Sequence, residues 1–111
     1  MSISVENKND ITLITIENQE IDASNTGQLK DELHQSLAPG MHVLLDLSKL
    51  QFIDSSGLGV LLSCMRYLTS NNGDLKICCV TKSVQAILEL VRFHRVVDIF
   101  NTREEAEKAF E

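Results

Sequence analysis

Apolar and polar positions along this chain switch between a period of two and a period near 3.6, and the switches mark out its elements. Ile3 and Val5 alternate with polar neighbours, which predicts a short strand over about 2–6. Residues 11–17 (ITLITIE) are β-branched and apolar and read as a second strand. The turn residues Asn7-Lys8-Asn9-Asp10 between them predict a hairpin. Ala23, Thr26, Leu29, Leu33 and Leu37 then recur at roughly helical spacing. A helix is expected over about 25–37, with Asp22 and Ser24 as candidate caps and Pro39-Gly40 as its stop.

Val43-Leu44-Leu45-Asp46-Leu47 is the near-continuous apolar run of a strand buried on both faces. Leu58, Leu61, Leu62, Met65 and Leu68 form one stripe, a helix over about 57–71 that Asn71-Asn72-Gly73 ends. Leu75 to Val80 reads as another buried strand. Val84, Ile87, Leu88 and Val91 sit at i, i+3, i+4 and i+7, a third helix that Thr81 or Ser83 can cap. Val96 to Phe100 is the last strand. Thr102-x-x-Glu105 is a capping box opening a terminal helix, with Ala106, Ala109 and Phe110 expected inward.

The order ββαβαβαβα predicts an α/β fold. Its sheet has about five strands, mostly parallel through right-handed crossovers, with the first strand antiparallel at one side. With 111 residues, one proline and no repeat or low-complexity segment, residues 1–111 read as one domain. An apolar content of 43% argues against disorder. No apolar run approaches the roughly 20 residues of a membrane span. The start, Met1-Ser2-Ile3-Ser4-Val5-Glu6, has neither a secretory nor a transit pattern. The expected setting is cytoplasmic, without membrane insertion.

Charge is unevenly placed. Residues 1–50 carry eight acids against three lysines, a balance of −5, while the whole chain stands at −6. An acidic half disfavours nucleic acid, which needs a basic patch, and suits a partner with a basic surface. The three cysteines, Cys64, Cys78 and Cys79, show no C-x-x-C spacing. Cys78 and Cys79 are neighbours within a predicted strand, so their side chains are expected on opposite faces, unable to hold one zinc ion together. The core is expected to be free of metal and of disulfides.

Connections leaving the C-terminal ends of parallel strands share one edge, where ligands and partners engage. Three are expected here: 17–24, 48–56 and 81–83. The middle one is nine residues, Ser48-Lys49-Leu50-Gln51-Phe52-Ile53-Asp54-Ser55-Ser56, against a usual length of about two to six. Its Phe52 and Ile53 either tuck inward or await a partner. It ends at a helix start in Asp54-Ser55-Ser56-Gly57-Leu58-Gly59. By residue type alone this is an ordinary N-cap. It is also a place where a phosphorylated hydroxyl would meet free backbone N–H groups and the positive end of a helix dipole.

Val43-Leu44-Leu45-Asp46-Leu47-Ser48 followed by Phe52-Ile53-Asp54-Ser55-Ser56-Gly57-Leu58-Gly59-Val60-Leu61 resembles the signature of the STAS domain, and in particular of the bacterial anti-sigma factor antagonists. The resemblance runs from the first hairpin to the terminal Glu104-Glu105-Ala106 helix. It implies a partner switch with no cofactor and no catalytic residue of its own. Unphosphorylated, such a protein binds an anti-sigma factor that is also a serine kinase and so frees the sigma factor. The kinase phosphorylates the serine after the Asp of the motif, which falls on Ser55, and a metal-dependent serine phosphatase reverses the step. Asp22, Asp54, Ser55, Ser56, Gly57 and Leu58 are the implied partner-binding residues. Where the family has a glycine at the end of the second strand, Glu17-Asn18-Gln19-Glu20-Ile21-Asp22 stands instead.

Other chemistry is thinly supported. No G-x-S-x-G surrounds Ser55 or Ser56, and His34, His42 and His94 have no ligand spacing. Gly57-x-Gly59 lacks the third glycine of a dinucleotide loop, Leu62 occupying its place. Asp46 with Ser48 reads as a strand-end hydrogen-bonding pair, and Arg92 with Phe93-His94-Arg95 as a solvated helix end. Two alternatives to the switch are a STAS subunit regulating a lipid-transport permease, disfavoured by Ser56, and a nucleotide or small-ligand binding module.

Overall fold

Six register pairs join Ile3–Lys8 (β1) to Ile11–Ile16 (β2) antiparallel, from Ile3↔Ile16 to Lys8↔Ile11. The turn is only Asn9-Asp10, with Asn9 at φ 57°, a conformation asparagine tolerates well. The computed structural model describes residues 2–111. After β2 come Glu20–Ile21 (β3), Thr26–Ser36 (α1), His42–Asp46 (β4), Phe52–Ile53 (β5) and Ser55–Ser70 (α2). Asp74–Cys78 (β6), Lys82–Leu90 (α3), a 3₁₀ turn at Phe93–Arg95, Asp98–Phe100 (β7) and Arg103–Ala109 (α4) complete the chain.

The main sheet has the order β1-β2-β4-β6-β7, antiparallel between β1 and β2 and parallel elsewhere, so the fold class and the antiparallel first strand are as expected. Strand alternation divides the core. Ile14, Ile16, Val43, Leu45, Leu75 and Ile77 pack with Leu29, Leu33, Leu61, Leu68, Val84 and Leu88 of α1, α2 and α3. Leu13, Leu44 and Cys78 face the other way, against Ala106 of α4.

Several boundaries differ from expectation for local reasons. The predicted loops 17–24 and 48–56 contain β3 and β5, which pair as a separate two-stranded parallel sheet through Glu20↔Phe52 and Ile21↔Ile53. Two-residue strands carry no periodicity to read. Neither Asp22 nor Ser24 caps α1. Asn25 holds the cap position, and Asp22 Oδ1 instead accepts from the Ser24 N–H (2.9 Å) and hydroxyl (2.5 Å). Val96 and Val97 precede β7, because Arg92 at φ 58° turns the chain into the 3₁₀ segment. Ala109 is exposed, while Ala106 and Phe110 are covered. Thr81 caps α3, accepting from the Val84 N–H, and Thr102 caps α4 as its box predicts.

The expectation for Cys78 and Cys79 is overturned. β6 ends at Cys78, and Cys79 has a left-handed backbone, φ 65°. That rotation returns its side chain to the face of Cys78, where both pack in the smaller cluster with Leu13 and Leu44.

Candidate functional site

The connection after β4, residues 47–54, is held from three directions. The Leu47 N–H donates to Cys78 O (3.1 Å) and the Leu50 N–H to Leu47 O (3.1 Å), while the Leu50 side chain is fully buried. From the start of α3, Thr81 Oγ1 donates to Leu50 O (2.8 Å) and Ser83 Oγ to Gln51 O (2.9 Å). From the loop after β2, Gln19 O accepts the Gln51 N–H (2.7 Å). Ile53 is buried, and its neighbour Phe52 points out, 45% exposed. The pleat of β5 thus divides the two apolar residues between core and surface.

Asp54 then caps α2. Its Oδ1 accepts from the Ser56 N–H (2.9 Å), the Gly57 N–H (3.1 Å) and the Ser56 hydroxyl (2.6 Å). The Ser56 hydroxyl and the Gly57 N–H hold its carboxyl below the usual carboxylate range, with the Ala23 N–H adding to the effect. α2 therefore starts at Ser55, two residues earlier than the apolar stripe suggests. Ser55 is its first residue and is exposed, and the cap bonds run through Asp54, Ser56 and Gly57 without engaging its hydroxyl.

Gly57 lies buried where α2 crosses the small sheet. A Cβ there would stand 2.6 Å from Ile53 Cγ1 and 2.7 Å from Ile21 Cγ2, so a side chain is excluded unless both isoleucines shift. Leu58 is half-buried and packs on the larger core. Asp22 follows β3 directly. Its N–H donates to Asn25 Oδ1 (3.0 Å), and the Asn25 amide donates to Glu20 O (2.8 Å), which braces the loop. Pairing of β3 with β5, together with the Asp54 N–H bond to Ile21 O (3.1 Å), sets this loop beside the α2 cap. Asp22, Asp54, Ser55, Ser56 and Gly57 are thus gathered at one edge.

Part of the acidic charge at this edge is already answered. Glu17 pairs with Lys49 and accepts from Ser4 Oγ (2.6 Å), which lowers its carboxyl from the ordinary value. Glu20 remains exposed. A groove of about 250 Å³ runs alongside, lined by Thr26, Gly27, Lys30, Ser56, Gly59 and Val60. Gly27 and Gly59 have open space where a Cβ would stand. The sequence analysis missed this groove; the signal that could have found it is the pair of glycines, Gly27 and Gly59, standing inside two helical patterns.

The histidines do not converge. His34 Nε2 lies 3.1 Å from Ser63 Oγ, His42 stacks on Phe110, and His94 sits exposed in the 3₁₀ turn. At the end of β4, Asp46 is 2% exposed. Burial works to raise its pKa, but the Ser48 N–H and hydroxyl and the Arg103 guanidinium outweigh it and hold the carboxyl low.

A family model described as STAS domain matches residues 2–106. The chain is 33% identical over 91 residues to the protein named anti-sigma factor antagonist BtrV of Bordetella bronchiseptica, 81% of this chain and 78% of that protein. An anti-sigma-factor antagonist (STAS) domain protein from Planctomyces limnophilus has the same fold, with a TM-score of 0.87 and 21% identity over 98% of this chain and 97% of that one. SpoIIAA, described as an anti-sigma factor antagonist in its unphosphorylated form, superposes with a TM-score of 0.73 at 20% identity over 97% and 95% of the two chains. The chain belongs to the STAS domain family.

Proposed function

We propose that this STAS domain is an anti-sigma factor antagonist that works by partner switching, with Ser55 as the phosphorylated residue. In this reading the unphosphorylated protein binds an anti-sigma factor serine kinase in the cytoplasm and frees the sigma factor. Phosphorylation breaks the complex, and a metal-dependent serine phosphatase restores it. The role is regulatory rather than enzymatic. Support comes from the family, from the relatives' names and from the existence of a solved phosphorylated form of SpoIIAA.

The observation that carries the choice of serine is the division of labour at the cap. The Ser56 hydroxyl is bound to Asp54, whereas the Ser55 hydroxyl is exposed and outside the cap bonds. A kinase reaches the second without breaking the first. The helix N-terminus holds a phosphate less completely than its position suggests, because Asp54 already takes the N–H groups of Ser56 and Gly57. A phosphate on Ser55 keeps the dipole's favour but stands beside a carboxylate. It stays in solvent, where an incoming partner must desolvate it.

The test is a titration of the purified kinase with wild type, Ser55→Asp and Ser55→Ala. Ser55→Asp weakens binding about a hundredfold, roughly 3 kcal/mol. Ser55→Ala binds like wild type and is not released by ATP. Equal affinity for all three, with the fold intact by circular dichroism, refutes the switch.

A further inference from the structure

Away from Ser55, the left-handed turn at Cys79 builds a second constellation. One ligand atom each from Asp46, Cys78 and Cys79 lies within 4.8 Å of the other two. A regular strand would have separated the two sulfurs. Cys79 escapes this through φ 65°, a region non-glycine residues occupy uncommonly, and its N–H is held there by Phe100 O at 3.1 Å. Cys78 and Asp46 are buried, while Cys79 is half-exposed, so the cluster has dry walls and one side open to water.

We propose that Asp46, Cys78 and Cys79 form a binding site for a thiophilic divalent d¹⁰ ion such as Zn²⁺, with Arg103 as the outer partner of the carboxylate. The donor set has the right softness: two sulfurs and one oxygen, with water at a fourth position, suit tetrahedral zinc or cadmium. Two sulfurs on one tetrahedral zinc stand about 3.8 Å apart for Zn–S bonds of about 2.3 Å, which fits the spread of the cluster. Binding replaces the two S–H protons, which pass to solvent, with two metal–sulfur bonds.

Charge balances as well. Two thiolates, one carboxylate and a divalent ion leave a single negative charge, and the Arg103 guanidinium cancels it. Arg103 Nε and Nη2 both reach Asp46 Oδ2 at 2.7 Å, and the Ser48 N–H reaches Oδ1 at 2.8 Å. A carboxylate offers about four lone-pair positions, so these bonds leave room for an ion. They then orient the carboxylate, as outer partners do in metal sites. An occupied site would join the ends of β4 and β6 to the first turn of α4, next to the connection that leads to Ser55. Cys64, buried on α2 with its thiol pushed up to about 11 by burial, has only His34 Nε2 beside its sulfur, at 4.0 Å, and belongs to no cluster of three ligand groups among the described residues, so it serves as the control.

The experiment exposes the reduced full chain to Zn²⁺ alone and to Cd²⁺ alone. Stoichiometry is read by native mass spectrometry, and thiolate ligation by the ultraviolet charge-transfer band of cadmium. One ion per chain is expected. Cys79→Ser loses the band, Cys64→Ser keeps it, and Arg103→Ala binds roughly 10–100-fold more weakly. Should Cys79→Ser fail to fold, alkylation of the wild type is mapped instead, with Zn²⁺ expected to protect Cys79. No uptake by the folded chain, a band unchanged in Cys79→Ser or lost in Cys64→Ser, or unprotected Cys79 overturns the site.

Discussion

Ser55 and Ser56 share one chemistry and differ in surroundings. The Ser56 hydroxyl donates to Asp54 Oδ1 at 2.6 Å and so strengthens the acceptor that caps α2. Removing it in Ser56→Ala takes away one part-buried hydrogen bond, worth about 1 kcal/mol. Urea unfolding should show that loss, while labelling of Ser55 by the kinase persists. Loss of labelling in a folded Ser56→Ala protein would move the phosphorylation to Ser56. Residue types at the motif were legible, since Asp-Ser-Ser-Gly before an apolar run announces a helix start. Residue types alone do not divide the roles, because that depends on which hydroxyl faces the cap; it was the family resemblance that put the phosphate on Ser55 and left Ser56 to the helix start, where its hydroxyl bonds Asp54. Cys79 failed for a related reason: alternation assumes a regular strand, and one left-handed residue reverses it.

At the scale of elements, the apolar stripes located all four helices and the five strands of the main sheet to within a few residues, because each buries a face. The pairing of β3 with β5 escaped, since two residues per strand give no period and their partners are distant in sequence. Yet that pairing is what positions the α2 cap beside Asp22. It also gives the two glycines of the motif opposite requirements. Gly57 abuts Ile21 and Ile53, so Gly57→Ala overpacks the crossing and should cost about 1–3 kcal/mol. Gly59 meets nothing within 4 Å, so Gly59→Ala should stabilise α2 by roughly 0.5–1 kcal/mol through reduced backbone entropy in the unfolded chain. Thermal unfolding midpoints moving in opposite directions would bear this out. A shift of the same sign in both variants would contradict the packing of α2 on the small sheet.

Across the whole molecule, charge raises a problem that the site alone does not. Residues 1–50 carry a balance of −5, which attracts a basic partner, so further negative charge on Ser55 should strengthen long-range attraction. A phosphate that nonetheless releases the partner must act locally, through desolvation or contact at the interface. The two effects have different reach. The molecule measures 32 × 26 × 23 Å, and the screening length falls from about 10 Å at 0.1 M salt to about 3 Å at 1 M. High salt therefore removes forces acting across the protein but spares those at a buried contact. For wild type, raising the salt should weaken kinase binding, mainly by slowing association. The ratio of Ser55→Asp to wild-type affinity should change little between the two conditions, because the penalty arises where solvent is excluded. Paired titrations at low and high salt decide the matter: a penalty that vanishes at high salt would make the switch a long-range electrostatic effect, and the exposed position of Ser55 would not be its cause.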